Sequence, residues 1–445
     1  MSQTFTVSEN VRVQIRACRN RVTVAGWDDA HSISVDQPAR QEGDTIIVEG
    51  ATKVSVRVPH TASVVIDDCH ADVRVDDLAG NVVLANIRGD LALRNLHGET
   101  HARDIDGDVI ARQVVSLKGE GKWDGAAALH EVKTFQADEI EGDLVLRGAD
   151  TATIRQVDGD VVLERVEQAQ INKIGNSAHL DNIGTVTLQN LEGDLTARGL
   201  RGVLTVEAVG GDVNLRDARG RVAIAKIEGD FIASNTQGAL EVPEIEGDAV
   251  ISFDQVAELN LRAEGDVVLN LPADANAELE VDAPEGNIVV RADMKAIGED
   301  ENHLRGTLGS GGVKLRVEST EGDVIVRGSG AGERRHHREH RQHQREYYRQ
   351  YAARYAEMGR RIAEEVRESV HASLAEAGIH EHRRKHYWRV GVGIDGDEVA
   401  PREEPAEEKP RGPVAGSPAR QAILDAIARG ELNVDDAIKK LRGEM

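Results

Sequence analysis

Apolar and polar residues alternate on a nine-residue beat through the centre of the chain. Glycine stands at 193, 202, 211, 220, 229, 238 and 247, each nine positions after the last. The units read GDLTARGLR, GVLTVEAVG, GDVNLRDAR, GRVAIAKIE, GDFIASNTQ and GALEVPEIE. With each glycine as position 1, positions 3, 5 and 8 are mostly apolar, as in Leu195, Ala197 and Leu200, or Val222, Ile224 and Ile227. Positions 4 and 6 are mostly polar. Apolar alternation over positions 3 to 5 predicts a short strand with one buried face. The glycine and its neighbours are expected to form the turn, because positive φ is least costly for glycine.

Alternate units differ, so the beat is also eighteen. Gly-Asp recurs at 193–194, 211–212, 229–230, 247–248 and 265–266, and earlier at 89–90, 107–108, 142–143 and 159–160. Gly286-Asn287 and Gly322-Asp323 follow after small insertions, while the intervening turns read Arg201-Gly202, Arg219-Gly220-Arg221 and Gln237-Gly238. An antiparallel meander and a solenoid both fit a nine-residue beat. The eighteen-residue alternation favours the solenoid, since like turns then stack on like turns. A solenoid also closes its own core, whereas a long meander leaves one apolar face bare. The expected fold is mainly β: a β cap over residues 1–60, then a parallel β-helix or solenoid with 18-residue coils over 61–328. The beat blurs at 112–140 and 164–185, where bulges or loops are expected.

After GSGAGE at 328–333 the period changes. Tyr351, Tyr355, Met358, Ile362, Val366, Val370 and Leu374 recur at spacings of four and three, which predicts a long amphipathic helix within a basic segment, 334–389. Residues 390–417, rich in Pro and Glu, read as a disordered linker. A C-terminal helical hairpin is expected over 418–445. Ser417 sits at its N-cap and Pro418 at its first turn, Gly430 ends the first helix, and Asn433 caps the second. Its apolar set is Ile423, Leu424, Ile427, Leu432, Val434, Ile438 and Leu441. So small a hairpin needs a partner to be stable. A homo-oligomer held by these residues, with Tyr351, Tyr355 and Ile362 as further interaction residues, is therefore expected.

The run VSVRVPHTASVVIDDCHADVRVDDLAGNVVLANIRGDLALRNLHGETHARDIDGDVIA, with its Val56-Arg57-Val58-Pro59 lead-in, resembles a bacterial adhesin-type β-repeat family, a domain of unknown function. The resemblance covers about residues 50–328. It implies a β-solenoid-like fold and a bacterial envelope-stress or surface-interaction setting. It implies no catalytic residues, so none is carried over. The last 28 residues, PARQAILDAIARGELNVDDAIKKLRGEM, resemble a short two-helix oligomerisation-type module.

Charge narrows the partners. The chain carries 54 Lys and Arg against 78 Asp and Glu, for a formal net charge of −24. Residues 1–332 hold 32 of the basic and 57 of the acidic side chains, while 333–389 hold 14 and 9. Such an acidic body repels nucleic acid and phospholipid surfaces, and attracts cations or cationic peptides. No nucleic-acid partner is expected. The basic segment is read first as a helix packed on the solenoid or on its twin, with peripheral membrane contact as an alternative. Cys18 and Cys69 are too few for a disulfide framework or a zinc site. No long apolar run spans a membrane, and MSQTFTVSEN is not a signal peptide. The expected setting is reducing and cytoplasmic.

Candidate chemistry is sparse. In an 18-residue coil Asp194, Asp212, Asp230, Asp248 and Asp266 stack in one column, where a hard cation would relieve their repulsion. The calcium nonapeptide pattern is absent, and an Asp that bonds its own turn backbone is the favoured reading. His336, His337, His340 and His343 could hold a metal weakly, but the arginines among them favour a solvated basic face. Arg88-Gly89-Asp90 spells the integrin-binding tripeptide, but its Gly-Asp is dictated by the repeat and arginine is common at nearby turn positions, so cell adhesion through it is not expected. Gly391-Val392-Gly393-Ile394-Asp395-Gly396 precedes no helix and fails as a dinucleotide loop. Residues 136–328 contain no Trp or Tyr, and only Phe231 and Phe253, which argues against carbohydrate chemistry. The expected function is a non-enzymatic, cofactor-free scaffold or adhesin-like interaction protein that self-associates. The alternatives are a polysaccharide-acting β-helix enzyme, and nucleic-acid or anionic-lipid binding through the basic helix.

Overall fold

Positions 3, 5 and 8 point inward in every unit. Leu195, Ala197, Leu200, Leu204, Val206 and Val209 fill one coil, and Val213, Leu215, Ala218, Val222, Ile224 and Ile227 fill the next, all buried. Successive coils pair in parallel, Leu195 against Val213 and Leu204 against Val222, with turn bonds such as Leu195 N–H to Asp212 O at 2.8 Å. The result, in a computed structural model that describes residues 2–8, 11–300 and 302–328, is a parallel β-solenoid. The expected basic helix, linker and two-helix module lie outside the described residues. Each coil has two faces: a first face after the Gly-Asp turn, and a second face after the other turn.

The blurred stretches hold long continuous strands, Val109–Trp123, Ala127–Ile140 and Val161–Ile174, with an irregularity of the expected bulge kind in the first. What changes is the beat. Val109 pairs with Ala127 at 18 residues, but Ala127 pairs with Leu144, and Leu144 with Val161, at 17. One register shift falls between Gly119 and Lys122, beside the bulkiest core side chain. Trp123 packs there against Phe135, with ring centroids 6.0 Å apart, and its Nε1 donates to Ala102 O at 3.2 Å. A Cβ on Gly119 would lie 2.7 Å from the indole, so glycine makes room for the ring.

The repeat glycines do not supply positive φ. Left-handed residues sit instead at position 7 of the first face: Gln113, Glu131, Gly148, Arg165, Asn182, Gly199, Asp217 and Asn235. They turn position 8 back into the core. The turn glycines serve close stacking: a Cβ on Gly220 or Gly238 would fall on the carbonyl oxygen of the glycine one coil below.

Chain order and stacking order differ at both ends. Arg12–Arg16 and Arg19–Trp27, in the segment expected to be a cap, are a coil of the stack. They pair in parallel with Ser63–Leu78 on one side, and with Thr45–Glu49 and Lys53–Pro59 on the other. The outermost N-terminal coil is thus the second one made. Its edge is covered by antiparallel strands Ser32–Val35 and Arg40–Glu42. The C-terminal end repeats the device. Val313–Ser319 and Val324–Gly328 lie between the coil of Leu259–Ala263 and Val267–Leu271 and that of Ala277–Asp282 and Ile288–Arg291. The supposed insertions are this displaced coil and an antiparallel hairpin, Met294–Asp300 with His303–Leu308, laid on Ala277–Asp282. Antiparallel strands at both ends cover backbone groups that would otherwise invite further pairing.

Candidate functional site

The Gly-Asp turns stack into a column and form a ladder. The backbone N–H of Asp212 donates to Asp194 Oδ1 at 2.9 Å, Asp230 to Asp212 at 2.9 Å, Asp248 to Asp230 at 2.9 Å, and Asp266 to Asp248 at 2.8 Å. The ladder crosses the displaced coil without a break. Asp323 N–H donates to Asp266 at 2.8 Å, and Asn287 N–H to Asp323 at 2.8 Å. Each of these carboxylates therefore bonds the backbone of the next coil's turn. These bonds offset the repulsion between stacked carboxylates, since a carboxylate gains from amide donors. Asn287 also donates its side-chain amide to Asp323 at 3.0 Å. Its backbone and side-chain donors together hold the Asp323 carboxyl below the ordinary range. Asp90 of the Arg-Gly-Asp tripeptide belongs to the same column, accepting from Asp108 N–H at 3.0 Å.

The two outer faces differ. On the first face, position 4 carries two aliphatic runs with His179, Thr196 and Asn214 between them: Ile110, Ala128, Val145 and Val162 in register, and further along Ile232, Val250, Val268 and Ile325. The aliphatic members are half-buried. Position 6 is basic in places, with Arg94 on Arg112, His130 on Arg147, and Arg198 on Arg216, but it holds Glu164 and Asp181 between Arg147 and Arg198, and Ser234, Ser252 and Asn270 further along. The second face is polar at position 4, where Lys118, Gln136, Thr153, Gln170, Thr187 and Thr205 follow one another. The sequence reading pooled both halves of the coil and missed the aliphatic runs. Aligning units by eighteen, and by seventeen in the middle, would have separated them.

Several titratable groups elsewhere are held by ion pairs or hydrogen bonds. A shallow groove of about 260 Å³ is lined by Asn81, Val83, Glu99, His101, Arg103 and Glu120. Lys118 Nζ lies 2.6 Å from Glu120, whose carboxyl it holds below the ordinary range. Glu139, Glu141 and Asp158 converge closely enough to share an ion. Yet Arg155 bonds Glu139 at 3.1 Å, Lys122 pairs with Glu141, and Gln156 bonds Asp158 at 2.7 Å. Burial raises the Asp76 carboxyl against the pull of Arg74, 2.5 Å away. Of the other sequence candidates, Tyr351, Tyr355, Ile362, the histidines at 336–343, the glycines at 391–396 and the apolar set from Ile423 to Leu441 lie outside the described residues. No described helix is long and apolar enough to cross a membrane.

The fold defines a class, the parallel β-solenoids with registered turn and face columns. Residues 181–327 match the family model Toastrack DUF4097, a domain of unknown function. That match spans the second half of the solenoid, including the displaced C-terminal coil. A solved structure from Clostridium sporogenes ATCC 15579, described as a proposed cell adhesion protein, aligns with 74% of this chain and 99% of its own, at 7% identity and a TM-score of 0.12. At that score the two structures are not alike enough to bear on this chain. No curated protein sequence matches it.

Proposed function

We propose that the protein is a non-enzymatic β-solenoid scaffold, adhesin-like in presenting long flat faces to macromolecular partners, and that it self-associates through residues 418–445. The observation that carries this reading is the registration of outer side chains from coil to coil. Runs of aliphatic and of basic side chains lie beside the carboxylate column on the first face, which suits an extended partner better than a small substrate. The Asp ladder supports the same view, because its carboxylates hold turns together. We place the protein in the cytoplasm, where the buried Cys18 and Cys69 thiols stay reduced until an oxidant reaches them. An acidic body with a basic segment suits a protein or cationic-peptide partner, and an envelope-stress role follows from the family resemblance alone. Light scattering on the full chain and on a chain ending at residue 417 tests self-association. The shorter chain should have the smaller assembly mass, and an equal mass would count against the reading.

A further inference from the structure

Cys18 and Cys69 are 51 positions apart in sequence and come together in the core. Arg16 pairs with Asp67 and Arg19 with His70, which sets the two cysteines opposite each other on adjacent coils. Each follows a left-handed residue, Ala17 at φ 53° and Asp68 at φ 52°, so both side chains turn inward at the same corner. Both are fully buried. His70 N–H donates to Cys18 O at 2.8 Å, clamping the two backbones at this point. Each thiol reaches the carbonyl two residues before it, Arg16 O or Asp67 O, at 3.6 Å. The neighbouring Cys18 side chain, together with burial, pushes the Cys69 thiol up. Coils stacked about 4.8 Å apart fall within the Cα separation that a disulfide spans.

We infer that Cys18 and Cys69 form a redox staple, oxidised by a low-molecular-weight disulfide, that pins the displaced N-terminal coil to the coil of Ser63–Leu78. The loop it closes, residues 18–69, encloses the outermost coil, so one bond secures the whole N-terminal end. Terminal coils open more readily than central ones, and such opening admits the oxidant. One cysteine thiolate attacks the small disulfide, forming a mixed disulfide and releasing one small thiol. The second thiolate then attacks the protein sulfur, breaking the mixed bond and releasing the second small thiol. The protein pair loses two electrons and two protons, and one small disulfide is reduced to two thiols.

The test is incubation of the full chain with oxidised glutathione, followed by non-reducing peptide mapping and hydrogen exchange. A Cys18–Cys69 cross-linked peptide within one chain is expected, with exchange at residues 12–27 slowed on the order of 100-fold. Glutathione left on either cysteine, a cross-link between chains, or a cross-link with unchanged exchange would overturn the staple. A C18A/C69V double variant keeps the site apolar and should fold with the same circular dichroism while losing the response. A response that survives in it also overturns the inference.

Discussion

On the first face Leu146, Leu163 and Leu180 point inward in register, and on the second Ile154, Ile171 and Leu188 do the same, all essentially without exposure. One position before Leu163 and Ile171, pointing outward, stand Val162 and Gln170. The interior treats the two faces alike because both must fill one narrow core with aliphatic side chains. The exterior is released from that demand, and there the faces diverge, the first aliphatic in runs and the second polar. The repeat thus constrains what the coil buries, and leaves its outer positions to differ for other reasons.

The sharpest way to break this comparison is inside the core. Leu163→Ala and Ile171→Ala should each destabilise the solenoid by about 2–5 kcal/mol, read by urea unfolding of the full chain. Equal losses are expected, and a loss on one face alone would show that the two faces do not share a common interior. The turns come next. Gly220→Ala places a Cβ on the Gly202 carbonyl oxygen, an overlap of backbone with backbone that should cost about 1–3 kcal/mol. Gly298→Ala, where a Cβ would meet nothing within 4 Å, should leave the unfolding midpoint nearly unchanged. Similar costs at both positions would remove the close-stacking account of the turn glycines.

These residues also mark what was legible in the sequence. The inward set was readable because burial imposes a strict alternation, and Leu195, Val206 and Ile224 fall where the beat puts them. The acidic column was readable because Gly-Asp repeats every eighteen residues. The role of its carboxylates was not, since a bond from Asp194 to the next coil's amide requires the rise between coils to be known. The 17-residue coils hid the beat between residues 127 and 195, as one omitted residue per coil shifts the glycines without disturbing the core. The displaced coils left no local signal. Val267 pairs with Val324 across 57 residues, and only the order of stacking shows it. The proximity of Cys18 and Cys69 was hidden for the same reason.

The smallest expected effect lies at the last link of the ladder. Asp323 accepts from both the backbone and the side chain of Asn287, which hold its carboxyl below the ordinary aspartate range. A group depressed in the folded state contributes stability that is complete above its unfolded pKa. That stability is lost as the pH falls through the folded value. The outermost C-terminal coil, Ala277–Asp282 and Ile288–Arg291, should therefore exchange its amides faster, relative to central coils, once the pH drops below about 4. Asp323→Asn retains an acceptor oxygen without a titrating proton, so the variant should lose this pH dependence while keeping the coil in place. Asp323→Ala removes the acceptor and should speed exchange at neutral pH as well. If Asp323→Asn follows the wild-type pH profile at residues 288–291, the acid response arises elsewhere. The ladder would then act at this end through its geometry and not through its charge.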